Sequence, residues 1–276
     1  MDFSKVKSLT IPEGNVVKIM SGDVVLWTKS GGSEPTPSGD LPPSNQVWYE
    51  APSILSIGVD FNSLVSHKYD ASTKRGVLTC PRDVTSSTVV ERDAFKGADS
   101  ITKIWWPACC TSWENDCMHS CSKLKEVYAG SALQDVSNGT CKGGTSLEKV
   151  VLYNNENFYA NETGLVKKSD NTLYLGTVNL DIRNTPCTTL GSRCMADLHL
   201  RDKTLYFPST MNSHTGDWNI GGSTPEPYTI YLPCSTAPDW YLGYIRGIIT
   251  WHIPATNSGY ENWKTRKSDW TFVEDL

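Results

Sequence analysis

Residues 90–106 read VERDAFKGADSITKIWW, and the segments 113–129 (WENDCMHSCSKLKEVYA) and 136–152 (VSNGTCKGGTSLEKVVL) follow at steps of 23 residues. Aligned on that step, the three segments share five columns of apolar or small residues. The columns are Val90, Trp113 and Val136; Phe95, Met118 and Cys141; Ala98, Cys121 and Gly144; Ile101, Leu124 and Leu147; and Ile104, Val127 and Val150. Apolar side chains that return at one fixed spacing predict stacked coils that share a core.

The same spacing continues more loosely along the rest of the chain. Leu173 lies 23 residues after Val150. Short strand-like pieces that end in proline recur around Leu78, Leu205, Ile230 and Trp251. Proline ends a strand because it cannot donate to the ladder. We therefore predict a mainly β fold: a solenoid of about eight short parallel strands with irregular or short helical return segments.

Composition divides the chain into three parts. Residues 1–29 alternate apolar and polar positions in three strand-like pieces, which predicts a small β anchoring or oligomerisation segment. Residues 30–45 are rich in Gly, Ser and Pro, as in a linker. Residues 46–276 carry the predicted solenoid, with a C-terminal cap at about 254–276. The apolar anchoring positions of the first part are Leu9, Ile11, Val16, Ile19, Val25 and Trp27.

Charge and hydropathy exclude some classes of function. The net charge is −5 and the basic residues are scattered, so no basic stripe indicates a nucleic-acid groove. No apolar run is long enough for a membrane span, and no signal peptide is predicted at the N-terminus. The nine cysteines are an odd number, which favours reduced thiols over a disulfide framework.

The repeat resembles a known family. The pattern Ala94-Phe95-x-x-Ala98-x-x-Ile101-x-x-Ile104 is similar to the BspA-type leucine-rich repeat of bacterial surface antigens. Ile253-Pro254-Ala255, Tyr260-x-x-Trp263-Lys264 and Trp270 resemble the C-terminal cap of such arrays, and residues 45–49 resemble the strand that opens them. The resemblance covers about residues 46–276 and implies a fold rather than a function.

The N-terminal segment resembles a different group of proteins. Residues 9–19 (LTIPEGNVVKI), followed by Val25-Leu26-Trp27, are similar to leaders on structural proteins of tailed phages. This resemblance implies attachment to a virion capsid or tail protein through residues 1–29. About 29 residues cannot bury enough surface to be stable alone, so we also expect the chain to form a homo-oligomer.

One cluster carries the spacing of a possible metal site. It consists of Cys109, Cys110, Cys117, His119 and Cys121, and zinc sites use Cys and His at close spacing. Burial of the thiols as small apolar groups is favoured, because Cys121 falls in the inward column with Ala98 and Gly144. A zinc site and a disulfide are the alternatives. We predict no metal and no cofactor.

Catalytic arrangements are not indicated elsewhere. None of the five histidines stands in a nucleophile-elbow or protease-like context, and Glu114, Asp116, Asp135 and Glu148 fall at polar repeat positions, as on a solvated face. We predict no catalytic residues.

Aromatic residues that recur at or beside the predicted strands are the candidate binding residues. They are Trp105, Trp106, Tyr128, Tyr153, Tyr174, Tyr206, Tyr231 and Trp251. Strand residues alternate between the two faces of a sheet, so about half should be exposed, and exposed aromatics are good contact surfaces. The alternative is that they pack the solenoid or an oligomer interface. An expected insertion at 177–204 and the loop 211–228 are further candidates for contact.

These observations favour a non-enzymatic structural and binding protein of a phage virion. It would be a head or tail fibre, or a capsid decoration, assembled in the host cytoplasm and bound to a host-surface protein or glycan. A bacterial cell-surface leucine-rich-repeat adhesin is the alternative, and a glycan-degrading enzyme is a third hypothesis.

Overall fold

The computed structural model describes residues 18–21, 24–28, 41–55, 64–90, 93, 95–161, 164–216, 227–238, 240, 248–255, 258–267 and 269–276. The chain divides into two compact units, residues 1–40 and 41–276. Residues 41–45, which the composition assigns to the linker, belong to the second unit. There the amides of Cys80 and Val84 donate to the carbonyls of Asn45 and Ser44 at 2.8 and 2.7 Å.

The first unit contains an antiparallel hairpin of β1 (Lys18–Ser21) and β2 (Val24–Thr28). Lys18 pairs with Thr28, and the register shifts between Ile19 and Met20. The hairpin corresponds to the second and third strands that the alternation predicts, and it carries the anchoring positions Ile19, Val25 and Trp27. The other anchoring positions, Leu9, Ile11 and Val16, lie outside the described residues.

The second unit is built mainly from short strands. In chain order they are β3 (Gln46–Glu50), β4 (Ser66–Asp70), β5 (Arg75–Thr79), β6 (Lys103–Trp105), β7 (Ser112–Trp113), β8 (Glu126–Ala129), β9 (Asp135–Val136), β10 (Lys149–Leu152), β11 (Phe158–Asn161), β12 (Gly164–Lys167), β13 (Thr172–Gly176), β14 (Thr189–Leu190), β15 (Thr204–Tyr206), β16 (Ser213–His214), β17 (Pro227–Tyr231), β18 (Ile248–Ile253) and β19 (Thr271–Glu274). Short 3-10 turns lie at Ser87–Val89 and Ser258–Tyr260, and the helix α1 spans Glu261–Arg266.

The predicted solenoid is confirmed, with about six turns. Strands β6, β8 and β10 pair in parallel, and Lys103, Glu126 and Lys149 stand in register. The register therefore reproduces the 23-residue step of the sequence. Further along the chain, β15, β17, β18 and β19 form a second parallel sheet. The coils of β6 and β8 each add a second short strand on another side, and these strands, β7 and β9, also pair in parallel.

The five repeated columns line the interior. All of their members are buried except Ala98, which is half-buried. Most of them form one apolar cluster with residues of β3 and β5, and a second cluster fills the C-terminal turns. Since one coil alone could not bury these side chains, their common burial is the main favourable contribution to stacking.

The corners of the coils repeat with the same step. Amides of Phe95 and Met118 donate to the carbonyls of Cys117 and Thr140, each at 2.9 Å, so these return segments also stack. Gly97, Ser120 and Gly143 take the left-handed conformation, with φ of 73°, 60° and 75°. Glycine suits this turn because it lacks a Cβ, and Ser120 accepts the strain at the equivalent corner.

The predicted rung around Leu78 is wrong. Strand β3 lies between β5 and β6 and pairs antiparallel with both, and β4 pairs antiparallel with the far edge of β5. This antiparallel sheet of β3, β5 and β4 closes the N-terminal end of the coil. An end cap satisfies the backbone groups that an open first rung would expose.

The rung expected at Leu173 also lies elsewhere. Strand β13 pairs antiparallel with β12 and parallel with β14, on a different side of the coil from β10. The insertion is therefore the meander of β11, β12 and β13. Residues 177–204, expected as the insertion, form a turn of the coil: the Val178 amide donates to the Leu147 carbonyl at 2.7 Å, and the Arg201 amide donates to the Val178 carbonyl at 2.9 Å.

The predicted C-terminal cap at about 254–276 contains a further rung. Strand β19 pairs in parallel with β18, with Trp251 opposite Phe272. Before it, α1 buries Trp263, and Trp270 is buried as well. The end of the coil is therefore closed by a strand together with a short helix that covers its interior.

Candidate binding face and cleft of the solenoid

One side of the coil carries most of the aromatic side chains that the sequence singled out, together with a column of charged side chains. We call it the outer face: the solvent side of the sheets formed by β3, β6, β8 and β10 and by β15, β17 and β18. Burial alternates along β3, β15, β17 and β18, so that in β15 Leu205 is buried while Thr204 and Tyr206 are partly accessible. The outer face therefore displays two side-chain columns for each inward column.

The first half of the outer face carries a column of rings. Trp48 stands opposite Trp105, which stands opposite Tyr128. The rings of Trp105 and Tyr128 stack with centroids 5.2 Å apart, and Tyr153 continues the stack at 6.3 Å from Tyr128. The guanidinium of Arg75 lies 5.1 Å from the ring centroids of both Trp48 and Trp105. Stacking and cation–π contacts hold these side chains in one arrangement.

A column of alternating charge runs beside these rings. In register across the strands stand Arg75, Glu50, Lys103, Glu126 and Lys149. The Lys103 and Lys149 ammonium groups lie 3.4 and 3.7 Å from the Glu126 carboxylate, which also accepts a hydrogen bond from the Tyr128 hydroxyl. Opposite charges in neighbouring positions stabilise the pairing modestly and keep long side chains extended over the sheet.

The second half of the outer face repeats the ring column with different neighbours. Tyr206 and Tyr231 stack at 4.6 Å, and His252 lies on Tyr231 at 4.3 Å. The His252 Nδ1 atom is 2.9 Å from the Asp275 carboxylate. The adjacent column consists of the threonines 204, 229, 250 and 271. This half is therefore aromatic and hydroxylated, whereas the first half is aromatic and charged.

A cleft lies at the start of the second half. It encloses about 280 Å³ and is lined by residues 178–181, Arg183, Asp202, Thr204 and Tyr206. The Arg183 guanidinium lies 4.0 Å from the centre of the Tyr206 ring. Its Nε atom donates to both carboxylate oxygens of Asp181, at 3.0 and 3.2 Å, and its Nη2 atom donates at 2.5 Å. These bonds lower the pKa of Asp181.

The structure separates the predicted aromatic residues into groups. Tyr153, Tyr206 and Tyr231 are half-buried on the outer face. Trp105 and Tyr128 lie in the same column but expose only 9% and 5% of their surface. Tyr174 is half-buried on β13, on another side of the coil, where its hydroxyl donates to Asp170 at 3.2 Å.

The predicted exposure of Trp106 and Trp251 is wrong. Both are fully buried. Trp106 packs edge-on against Phe95, with ring centroids 5.8 Å apart, and Trp251 lies among the rings of the C-terminal turns. Trp251 lies at an inward position of β18, and Trp106, directly after β6, is buried in the interior as well.

Sequence reasoning missed four residues of the outer face. They are Trp48, Arg75, Arg183 and His252. His252 could have been found, since it follows the inward Trp251 in a strand aligned with Tyr206 and Tyr231. Arg75 and Arg183 carry no such signal, because their position over the rings depends on strand pairing and on an irregular rung.

The cysteine cluster is part of the interior. The structure has no disulfide among the nine cysteines, and eight of them are buried. Burial raises the pKa of Cys110 and of Cys121 to about 12. His119 is half-buried, and its Nδ1 atom lies 3.8 Å from Asp116. Among the described residues, no group of three or more His, Cys, Asp or Glu is arranged to hold a metal ion.

This burial predicts selective thiol reactivity. Cys109, the cysteine that is only partly buried, should react with a thiol reagent in the native protein while the other eight resist, because the thiolate is the reactive form and burial disfavours it. Titration with Ellman's reagent at pH 8 should give one fast thiol without denaturant and nine in guanidinium chloride. A Cys109→Ser variant should lose the fast phase. Two or more fast thiols would contradict the buried positions.

No family model matches this chain, and comparison with curated proteins and with solved structures gives no match. Within the described residues, none of the helices has the length and apolar character that a membrane crossing requires. The class of protein defined by its geometry is a β-solenoid with a structured aromatic face.

Proposed function

We propose that this chain is a non-enzymatic binding protein of a phage virion, which attaches through residues 1–29 and presents the outer face to a host-surface glycan or protein. The observation that carries the binding role is the pair of ring columns in register on the solvent side of the coil. The virion role is supported by the resemblance of residues 9–27 to phage structural leaders.

The ring columns suit recognition for an energetic reason. Tyr, Trp and Arg are the residues that contribute most to binding at interfaces. On the outer face they are already held by stacking, by cation–π contacts and by the Arg183–Asp181 pair, so little side-chain freedom remains to be lost when a ligand binds. Several such contacts on a multi-copy particle would add through avidity.

Binding should depend on the outer face. We expect Tyr231→Ala to weaken attachment of the full chain to intact cells of a susceptible host by about tenfold or more, because it removes the ring between Tyr206 and His252. Tyr159→Ala is the matched control: Tyr159 is 41% exposed and lies on β11, which is not one of the strands that form the outer face. Flow cytometry with labelled protein measures both. Equal loss in the two variants, or none in Tyr231→Ala, would contradict the proposal.

The virion role has a separate test. We expect purified particles from the producing culture to contain the chain, with cross-links from residues 1–29 to a capsid or tail protein, as identified by mass spectrometry. Recovery from the host envelope fraction alone would overturn the virion role and favour the adhesin alternative, while leaving the binding face intact.

A further inference from the structure

The strand ladder of the outer face is interrupted in front of β15. The rung that begins at Val178 still bonds with the turns on both sides: its amide donates to the Leu147 carbonyl at 2.7 Å, and its carbonyl accepts from the Arg201 amide at 2.9 Å. Residues 179–183 then form turns and irregular structure instead of a strand. As a result, β15 is an edge strand of its sheet, and the cleft of about 280 Å³ lies beside it.

The backbone of β15 directs hydrogen-bonding groups toward this cleft. In the next rung, the Thr229 amide donates to the Lys203 carbonyl at 2.9 Å, so the outward residues of these strands bond with the preceding rung. Thr204 and Tyr206 are in register with Thr229 and Tyr231, and their amides and carbonyls therefore face the cleft. Among the described residues, none of these backbone groups has a hydrogen-bond partner. We call them the open edge of β15.

The accessible surface of the cleft is polar. Val178 and Leu180 are buried, so the surface comes from the other lining residues, which are Asn179, Asp181, Arg183, Asp202, Thr204 and Tyr206. The Arg183 guanidinium is bonded to the Asp181 carboxylate at 2.5 Å. The exposed carboxylate of Asp202 is therefore left without a counter-ion in the lining, which favours a cationic group on a ligand.

These features match the main chain of a peptide. An extended peptide presents amides and carbonyls that pair with a strand edge at about 4.8 Å, and the step from Thr204 to Tyr206 corresponds to about 7 Å of such a strand. A ligand that needs a free aromatic face is not accommodated. Arg183 lies 4.0 Å from the centre of the Tyr206 ring, and the Tyr231 ring stacks on it at 4.6 Å.

From this geometry we infer that the cleft takes an extended segment of a partner protein, which adds one short strand to the open edge of β15. The inference rests on the proposed function, because it names the ligand at one position of the outer face. The segment bonds through its main chain with Thr204 and Tyr206, and one of its lysine or arginine side chains pairs with Asp202. Charged side chains beside an open edge also disfavour indiscriminate strand pairing.

A peptide selected on the full chain is the probe for the open edge. Selection from a random seven-residue library should enrich peptides that contain Lys or Arg and no central proline, because proline cannot donate to a strand ladder. The most enriched peptide is then compared by calorimetry with two N-methylated copies, one methylated at odd and one at even positions. Alternate residues donate to the same side of a strand, so one copy should bind at least about tenfold more weakly than the other. Failure to enrich any peptide, or equal affinity of the two copies, would overturn the inference.

Two variants of Thr204 separate its backbone from its side chain. Thr204→Pro removes the amide that faces the cleft, at the first residue of a strand, where proline is tolerated. Thr204→Val keeps that amide and loses only the hydroxyl bond to the Asp202 carbonyl at 3.0 Å. We expect Thr204→Pro to weaken the selected peptide by about tenfold and Thr204→Val to bind it normally. Equal affinity of two folded variants would contradict the open edge, and if melting curves show that Thr204→Pro is unfolded, the methylated peptides decide the question on the unaltered chain.

The charge of the cleft is tested separately. Asp202→Asn should weaken the selected peptide by about threefold, as expected for an exposed ion pair. Asp99→Asn, at an exposed corner of the coil, is the matched control and should bind normally. Unchanged binding to Asp202→Asn would overturn the basic side chain assigned to the partner.

The inference and the proposed function fail in different ways. If no peptide binds the open edge but attachment to host cells still depends on Tyr231, the strand-addition site is wrong and the binding role of the outer face stands. If host attachment is insensitive to Tyr231→Ala, the proposed function falls, whereas peptide binding to the purified chain still decides whether the edge of β15 accepts a strand.

Discussion

Replacement of Trp251 by alanine should lower the free energy of unfolding of the C-terminal turns by about 4 kcal/mol, near the middle of the range for large aromatic residues in cores. Trp251 is fully buried on β18. Its ring lies 5.3 Å from that of Trp263, 5.4 Å from that of Trp270 and 6.3 Å from that of Trp240. Truncation therefore leaves a cavity, and the rigid neighbouring rings cannot easily fill it.

The loss should be local, because each coil of a solenoid contacts only its neighbours. Hydrogen exchange should accelerate in β17, β18, β19 and α1, whereas β6 and β8 keep their protection. Tyr231→Ala is the control. The Tyr231 ring is only half-buried, so its removal should lower the free energy of unfolding much less. Uniform acceleration along the whole unit, or an effect of Tyr231→Ala as large as that of Trp251→Ala, would show that Trp251 is not the centre of this cluster.

The second large effect is expected from Gly76→Ala in the N-terminal cap. A Cβ on Gly76 would lie 1.8 Å from Cζ of Tyr49. This is a steric clash, and the Tyr49 ring would have to move to remove it. The Tyr49 hydroxyl also hydrogen-bonds with Nε2 of His67 at 2.7 Å and accepts from the Leu55 amide at 3.2 Å. Because displacement breaks these bonds as well, we expect a loss of about 3 kcal/mol in denaturant unfolding.

Gly97→Ala is the matched glycine control for this variant. Gly97 has a φ of 73°, and an added Cβ there meets no atom within 4 Å. Its substitution should cost only the backbone strain of a left-handed residue, about 1 kcal/mol. If the two variants have the same free energy of unfolding, or if Gly97→Ala is the less stable, then the close approach of Tyr49 does not explain why residue 76 is a glycine.

The 23-residue step was sufficient to predict the solenoid and its interior. The columns that begin at Phe95, Ile101 and Ile104 are inward in all three coils, because a coil of constant length returns each position to the same side. The same inward and outward alternation could have excluded Trp106 and Trp251 from the candidate binding residues. Trp106 lies two residues after the inward Ile104, and Trp251 aligns with the inward Leu205 and Ile230.

Strand-like sequence did not reveal strand partners. The segment around Leu78 has the same strand-then-proline pattern as the rungs, yet β3 separates it from β6. Leu173 keeps the 23-residue step, but the meander of β11, β12 and β13 shifts it to another side of the coil. A local pattern specifies that a strand forms, whereas its direction and neighbour depend on what covers the remaining backbone groups.

The sequence alone determined that this chain is a coil with a shared apolar interior, because burial imposes one repeated spacing on the residues that supply it. Only the tertiary structure decided which side chains meet on the outside. Strand pairing places Arg75 over Trp48 and Trp105, and an irregular rung places Arg183 over Tyr206. Surface contacts of this kind follow no fixed period, since water accepts many different residues at an exposed position.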